Sequence, residues 1–163
     1  MGGAVVLVGA LLTAACSSTS AQAPANNAAK IARGEYLVTV GGCNDCHTPL
    51  KMGPKGPEPD MSRMLSGHPE QFVVGAQARL SSPEWLGAIA ATGMAHSGPW
   101  GVSFTANLTP DENTGLGIWT EDVFIKALRT GRHMGASREI LPPMPWPNCA
   151  RMTDDDLKAV YAY

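Results

Sequence analysis

Cys43-Asn44-Asp45-Cys46-His47 lies between a glycine pair, Gly41-Gly42, and a stretch from Thr48 to Pro59 interrupted by Gly-Pro steps. Two thiols three positions apart, followed at once by an imidazole, limit what this chain can fold around. Thiols at this separation can both bond one partner, and the following histidine then lies beneath it. The chemistry that uses all three groups is covalent haem attachment: each thiol adds to a vinyl group of one porphyrin, and the histidine becomes the proximal iron ligand. Three other uses of a CxxC pair stay open at this point, namely a redox dithiol, half of a zinc site and a structural disulfide. Zinc would ask for a second ligand pair, and neither Cys149 nor His68, His96 and His133 provide one at a recognisable spacing. A thioredoxin-like dithiol would ask for a strand before the motif and a long helix after it, where this chain has two glycines and a proline-rich loop.

A bound cofactor would also answer a deficit in the composition. With 18 glycines and 13 prolines in 163 residues, and only 6% aromatics, the chain has material for many loops and a thin apolar core. Charged residues are 16% and the formal net charge is −2, a balance that argues against nucleic acid as a partner. Ile31 to Val40 is expected to form a short amphipathic helix stopped by Gly41-Gly42, and Gly34 inside it implies that another backbone comes close. The Gly-Pro steps between Thr48 and Pro59 predict a surface loop, and residues 61–118 show no clean period apart from a possible helical turn over 83–91. Thr120, with Glu121 and Asp122 behind it, caps a second helix that Gly131 ends; Thr153 and the acids Asp154, Asp155 and Asp156 start a last one. No C-cap signal follows Tyr161, so this last helix is expected to be cut short at Tyr163. With no sustained strand alternation the domain reads as mainly helical.

The sixth iron position would decide what such a centre does. Met144, in Pro142-Pro143-Met144-Pro145-Trp146, is the preferred ligand, because the flanking prolines stiffen the backbone and reduce the entropy lost when the sulfur is fixed. Met134, His133 and His96 are the other candidates. Trp119 and Trp146 are candidate pocket walls, and the turn Asn107-Leu108-Thr109-Pro110 a candidate propionate shield. Lys126, Arg129, Arg132, Arg138 and Arg151 could meet propionates or steer an acidic partner, although a solvated face is the simpler fate for most of them. Cys149 is left without a partner and reads as a half-buried small residue.

At the N-terminus, residues 2–15 carry no charge and hold Val5, Val6, Leu7, Val8, Leu11 and Leu12, the apolar region of an export signal. Leu12-Thr13-Ala14-Ala15-Cys16 resembles a bacterial lipobox, with threonine where leucine is usual and no basic residue ahead of the apolar run. Cys16 is therefore the lipidation candidate, beside an ordinary cleaved signal in which Cys16 is incidental. Residues 1–15 are expected to be a signal peptide, 16–29 a small, polar, flexible tether, and 30–163 the folded domain.

GEYLVTVGGCNDCHT, NLTPDENTGLGIWT, ALRTGRHMG, LPPMPW and the closing TDDDLKAVYAY together resemble a class I cytochrome c domain. More closely, they resemble the modules of cytochrome subunits of periplasmic alcohol, gluconate and aldehyde dehydrogenases. The resemblance covers roughly residues 30–163. It implies an all-α class I cytochrome c fold of short helices around one covalently bound haem c, attached at Cys43 and Cys46 and ligated by His47 and Met144. It also implies that the first and last helices cross at Gly34, with Tyr36 against Leu157 and Tyr161. One CxxCH implies one haem, and the separation of His47 from Met144 implies a loop-rich insertion over residues 49–118. The expected function is a periplasmic, lipid-anchored electron carrier that is not itself an enzyme. Its partners would be a dehydrogenase, a quinol-oxidising complex or a terminal oxidase. The alternative is a five-coordinate haem enzyme or gas sensor for peroxide, NO or CO.

Overall fold

Helix α1 (Gln22–Val40) and helix α5 (Asp154–Ala162) cross where α1 has no side chain. A Cβ added at Gly34 would overlap the backbone carbonyl of Ala159 and come within 2.8 Å of the Tyr163 Cβ, so only glycine lets the two backbones meet. Val38, Leu157 and Ala159 are buried around this crossing, and Phe124 and Ala127 of helix α3 (Glu121–Thr130) complete the apolar centre. Two ion pairs tie α1 to its neighbours, Lys30 to Glu121 at 2.6 Å and Arg33 to Asp156 at 2.9 Å. Both are solvent-reached, so each contributes at most about 1 kcal/mol and the packing at Gly34 dominates.

This computed structural model describes residues 1–2, 22–75 and 84–163. The apolar run and the proposed lipidation residue Cys16 lie outside the described residues. Helix α1 begins at Gln22, well before the expected Ile31, so the second half of the stretch assigned to a tether is helical. Its residues 26–29 are exposed, which is why no apolar periodicity marks them. Among the described residues no helix is long and apolar enough to cross a membrane.

Helices α3 and α5 begin as their caps predict. The Thr120 side chain accepts from the Val123 N–H at 3.2 Å and that of Thr153 accepts from the Asp156 N–H at 3.1 Å. Each cap is worth about 1 kcal/mol. Gly131, left-handed at φ 64°, ends α3. Tyr161 packs its ring on Phe124, 5.5 Å between centroids, and donates its hydroxyl to the Trp119 carbonyl at 2.5 Å. Tyr36 does not join it: it is 56% exposed, with the Arg33 guanidinium 5.5 Å above its ring, which corrects the expected contact with Leu157 and Tyr161.

The expectation of an all-α domain also needs correction. Residues 50–59 form an antiparallel hairpin, β1 (Leu50–Gly53) against β2 (Gly56–Pro59), and residues 88–104 form a three-stranded antiparallel sheet of β3 (Ala88–Ile89), β4 (Ala95–Gly98) and β5 (Gly101–Phe104). The prolines of β2, at 57 and 59, do not prevent the hairpin. They are two apart, so both stand at alternate positions whose N–H need not enter the ladder. Strands of two to four residues are too short to display an alternating pattern, so the sequence of this region reads as loop. Residues 84–91 hold β3 rather than the expected helical turn.

Replacing Gly34 by alanine tests the crossing directly. Alanine is the better helix former, yet the variant is expected to lose about 1–3 kcal/mol by overpacking, measured by denaturant unfolding. A stabilised variant would show that the two backbones do not meet there.

Candidate functional site

Helix α2 (Cys43–His47) is a single turn, reached from α1 through Gly42 in the left-handed region at φ 66°. The turn leaves Cys43 half-buried and Cys46 exposed, and it carries His47 inward until only 7% of its surface is accessible. The His47 Nδ1 lies 2.8 Å from the Ala106 carbonyl oxygen. A carbonyl only accepts, so Nδ1 must hold the proton, and the lone pair of Nε2 is left for a ligand. Burial pushes the His47 pKa below its ordinary value, His96 pushes it further the same way, and the Ala106 bond opposes both. Burial thus favours the neutral imidazole and the Ala106 bond sets its tautomer, the form that binds a metal.

Two chain segments build the cradle around it. The His47 carbonyl accepts from the Gly67 N–H at 2.8 Å, and the buried Thr48 hydroxyl accepts from the Leu65 N–H at 3.0 Å. Leu108 N–H in turn reaches the Leu65 carbonyl at 2.8 Å, and His68 N–H the Thr105 carbonyl at 2.9 Å. Segments 65–68 and 105–108 are therefore laced together over His47. A Cβ at Gly67 would come within 2.5 Å of the backbone of Thr105 and Ala106, and its φ of 68° suits glycine as well.

Among the described residues, Cys43, Cys46 and Cys149 form no disulfide with one another. Burial raises the Cys43 pKa, with Cys149 the next cause; burial, then Asp45, raises that of Cys46. A redox dithiol depends on a depressed thiol pKa, so this pair is poorly suited to that chemistry. Among the described residues no group of three or more His, Cys, Asp and Glu converges in a way that could hold a metal ion, which leaves the zinc reading without a ligand set. Cys149 is half-buried, as expected, and close enough to Cys43 to be felt electrostatically, a proximity that its position in the chain does not suggest. Two cysteines on one turn and an imidazole with its Nδ1 proton engaged suit the attachment and ligation of a haem.

Met144 is half-buried on a different segment, between Pro142 and helix α4 (Trp146–Cys149). The Ser103 hydroxyl of β5 donates to the Pro142 carbonyl at 2.6 Å. Met134 is 42% exposed and the His133 ring meets Trp119 edge-on at 5.1 Å, while His96 sits in the middle of the sheet on β4. The Trp146 ring covers Gly131, where a Cβ would overlap it. Asn107 makes its hydrogen bonds within its own loop: its Oδ1 accepts from the Thr109 N–H at 2.9 Å and hydroxyl at 2.7 Å, and its Nδ2 donates to the Thr114 hydroxyl at 2.9 Å. That loop fixes the neighbouring Ala106 carbonyl.

Of the basic group, Arg129 is held by the Ala150 carbonyl and by Asp154 at 2.5 Å, and Arg132 by Glu139 at 3.0 Å. Arg138 and Arg151 are exposed, and the Lys126 stem lies along Gly135. The residues that sequence reasoning missed, Thr48, Gly67, Ser103 and the Ala106 carbonyl, act mainly through backbone contacts, for which side-chain spacing carries no signal. Replacing Gly67 by alanine is expected to separate the two cradle segments and cost about 1–3 kcal/mol, with faster amide exchange at residues 65–68 and 105–108. Unchanged exchange there would show that the cradle does not depend on this approach.

No protein-family model matches the chain. It is 32% identical over 158 residues to the cytochrome c subunit of an alcohol dehydrogenase (quinone) from Gluconobacter oxydans, covering 96% of this chain and 25% of that protein. To the gluconate 2-dehydrogenase cytochrome c subunit of Pantoea cypripedii it is 31% identical over 137 residues, 84% of this chain and 23% of the relative. To the fructose dehydrogenase cytochrome subunit of Gluconobacter japonicus it is 33% identical over 134 residues, 82% of this chain and 20% of the relative. The chain thus spans about a quarter or less of the length of these relatives, which support a class I cytochrome c-like fold. Over most of its length, this chain is homologous to one segment of the cytochrome c subunits of alcohol, gluconate and fructose dehydrogenases.

Proposed function

We propose that this chain is a single-haem c-type cytochrome domain that passes electrons between a dehydrogenase or quinol-oxidising complex and a downstream acceptor or oxidase, without substrate chemistry of its own. The observation that carries this reading is the buried His47, whose Nδ1 bond to Ala106 frees Nε2, on the same helical turn as Cys43 and Cys46. Names of the relatives support it, since each is a cytochrome subunit of a dehydrogenase. A haem c bound here would supply a one-electron iron couple.

Cys43 and Cys46 would hold the porphyrin by thioether bonds, making its loss a chemical event instead of a dissociation. His47 is the proximal ligand in this reading, its ring direction set by the Ala106 carbonyl and its access to water removed by residues 65–68 and 105–108. Met144 would supply the other iron ligand, and its soft thioether would favour the reduced iron and raise the potential. Met144→Ala is expected to lower the potential by a sizeable part of the roughly 0.8 V that axial ligands command, and to let the reduced protein bind carbon monoxide promptly. Unchanged potential and spectrum would remove Met144 from the site.

The same proposal places the domain outside the cytoplasm, where c-type attachment takes place, tethered to a membrane through a lipid on Cys16. Intact mass with a pyridine haemochrome spectrum of the exported protein tests the whole reading. One haem joined by two thioethers, and an acyl mass that Cys16→Ser abolishes, is the expected result. Colourless protein after acid-acetone extraction would overturn the haem, and a wild-type mass without acyl groups would overturn the anchor alone. Copurification of a dehydrogenase subunit from detergent-solubilised membranes would place the domain within a complex; its isolation alone in wash fractions would make it a free shuttle.

A further inference from the structure

We infer that Ser103 is a positioning residue for the distal ligand, and that strand β5 thereby couples the Met144 segment to the His47 ring. This rests on the reading of Met144 as the ligand and goes beyond it.

Pro142 and Pro143 have no N–H, so the chain approaching Met144 has little of its own with which to donate a bond. Among the described residues, one hydrogen bond holds the stretch from Leu141 to Met144, and it is the 2.6 Å bond from the Ser103 hydroxyl to the Pro142 carbonyl. The flanks are held separately: Ile140 N–H reaches the Gly131 carbonyl at 2.8 Å, and the Pro145 carbonyl accepts from the Asn148 N–H at 2.9 Å. Ser103 therefore fixes the middle of an otherwise unbonded span, two residues ahead of the sulfur-bearing side chain.

The other end of the same strand reaches the proximal side. Ser103 pairs with His96 and Phe104 with Ala95 across the sheet, and Thr105 is bound to the fully buried Met94 by both its N–H, at 2.9 Å, and its hydroxyl, at 3.0 Å. The next residue, Ala106, offers the carbonyl that accepts from His47 Nδ1. One short, anchored run of backbone thus contacts the segments carrying both proposed axial ligands. A hydrogen bond lost between Ser103 and Pro142 would loosen the methionine side while leaving the thioethers and the histidine in place.

The test uses the haem-loaded full chain carrying Ser103→Val or Ser103→Thr, with Met144→Ala beside them. Valine and threonine share a shape and both suit a strand, so the pair differs by the hydroxyl alone and neither is expected to unfold the sheet. Ser103→Val should bind carbon monoxide to the ferrous protein about five to ten times faster, the ratio expected from one hydrogen bond, and weaken the sulfur-to-iron charge-transfer band of the ferric protein. Ser103→Thr should behave as the parent does. Parental ligand binding and band strength in Ser103→Val, with the band lost in Met144→Ala, would overturn the role of Ser103 and leave the ligand reading standing. Equal losses in the valine and threonine variants would also overturn it, as a packing effect. A band that persists in Met144→Ala would overturn both.

Discussion

The hydrogen bond from His47 Nδ1 to the Ala106 carbonyl is the constraint around which the rest of the site is arranged. It settles the tautomer, and with it which nitrogen is left to bind, before any ligand is present. It also gives the turns and strands that lead to Ala106 a role. A carbonyl can orient an imidazole only if its own position is fixed, and Ala106 is fixed by Thr105 on buried Met94, by the self-bonded turn starting at Asn107, and by the close approach of Gly67. The three-stranded sheet is scaffolding for the site rather than ornament on a helical domain.

A second constraint acts at a distance. Helices α1 and α5 meet at Gly34, and the contact lets the single turn of α2 leave the end of α1 in a defined direction. The apolar centre is small, consistent with a composition rich in glycine and proline. Much of the remaining order comes from hydrogen bonds between backbone segments and from pairs such as Arg129 with Asp154. Of the cations that stood out in the sequence, Arg129 and Arg132 are taken up in this way, and Lys126, Arg138 and Arg151 are exposed.

Legibility differed by element for physical reasons. Caps are local, so Thr120 and Thr153 marked their helices correctly, and Gly34 betrayed a close crossing because helix interiors avoid glycine without cause. Tyr36 was misplaced because a helix period says which residues share a face but not which face a neighbour covers. The β1–β2 hairpin was hidden by its prolines, and β3 to β5 by their shortness. The start of α1 was missed because residues 26–29 are exposed and so carry no apolar pattern.

Residue identity and spacing alone determined the chemistry available here: two thiols and an imidazole on one turn, and a methionine stiffened by prolines. Those are properties of neighbours in the chain, and covalent geometry transmits them directly. Tertiary structure alone decided the protonated nitrogen of His47, the nearness of Cys149 to Cys43, and the link from Ser103 to the methionine segment. Each depends on a backbone atom or a pairing brought in from far along the chain, and backbone groups are the same at every position, so nothing in the order of side chains could have announced them.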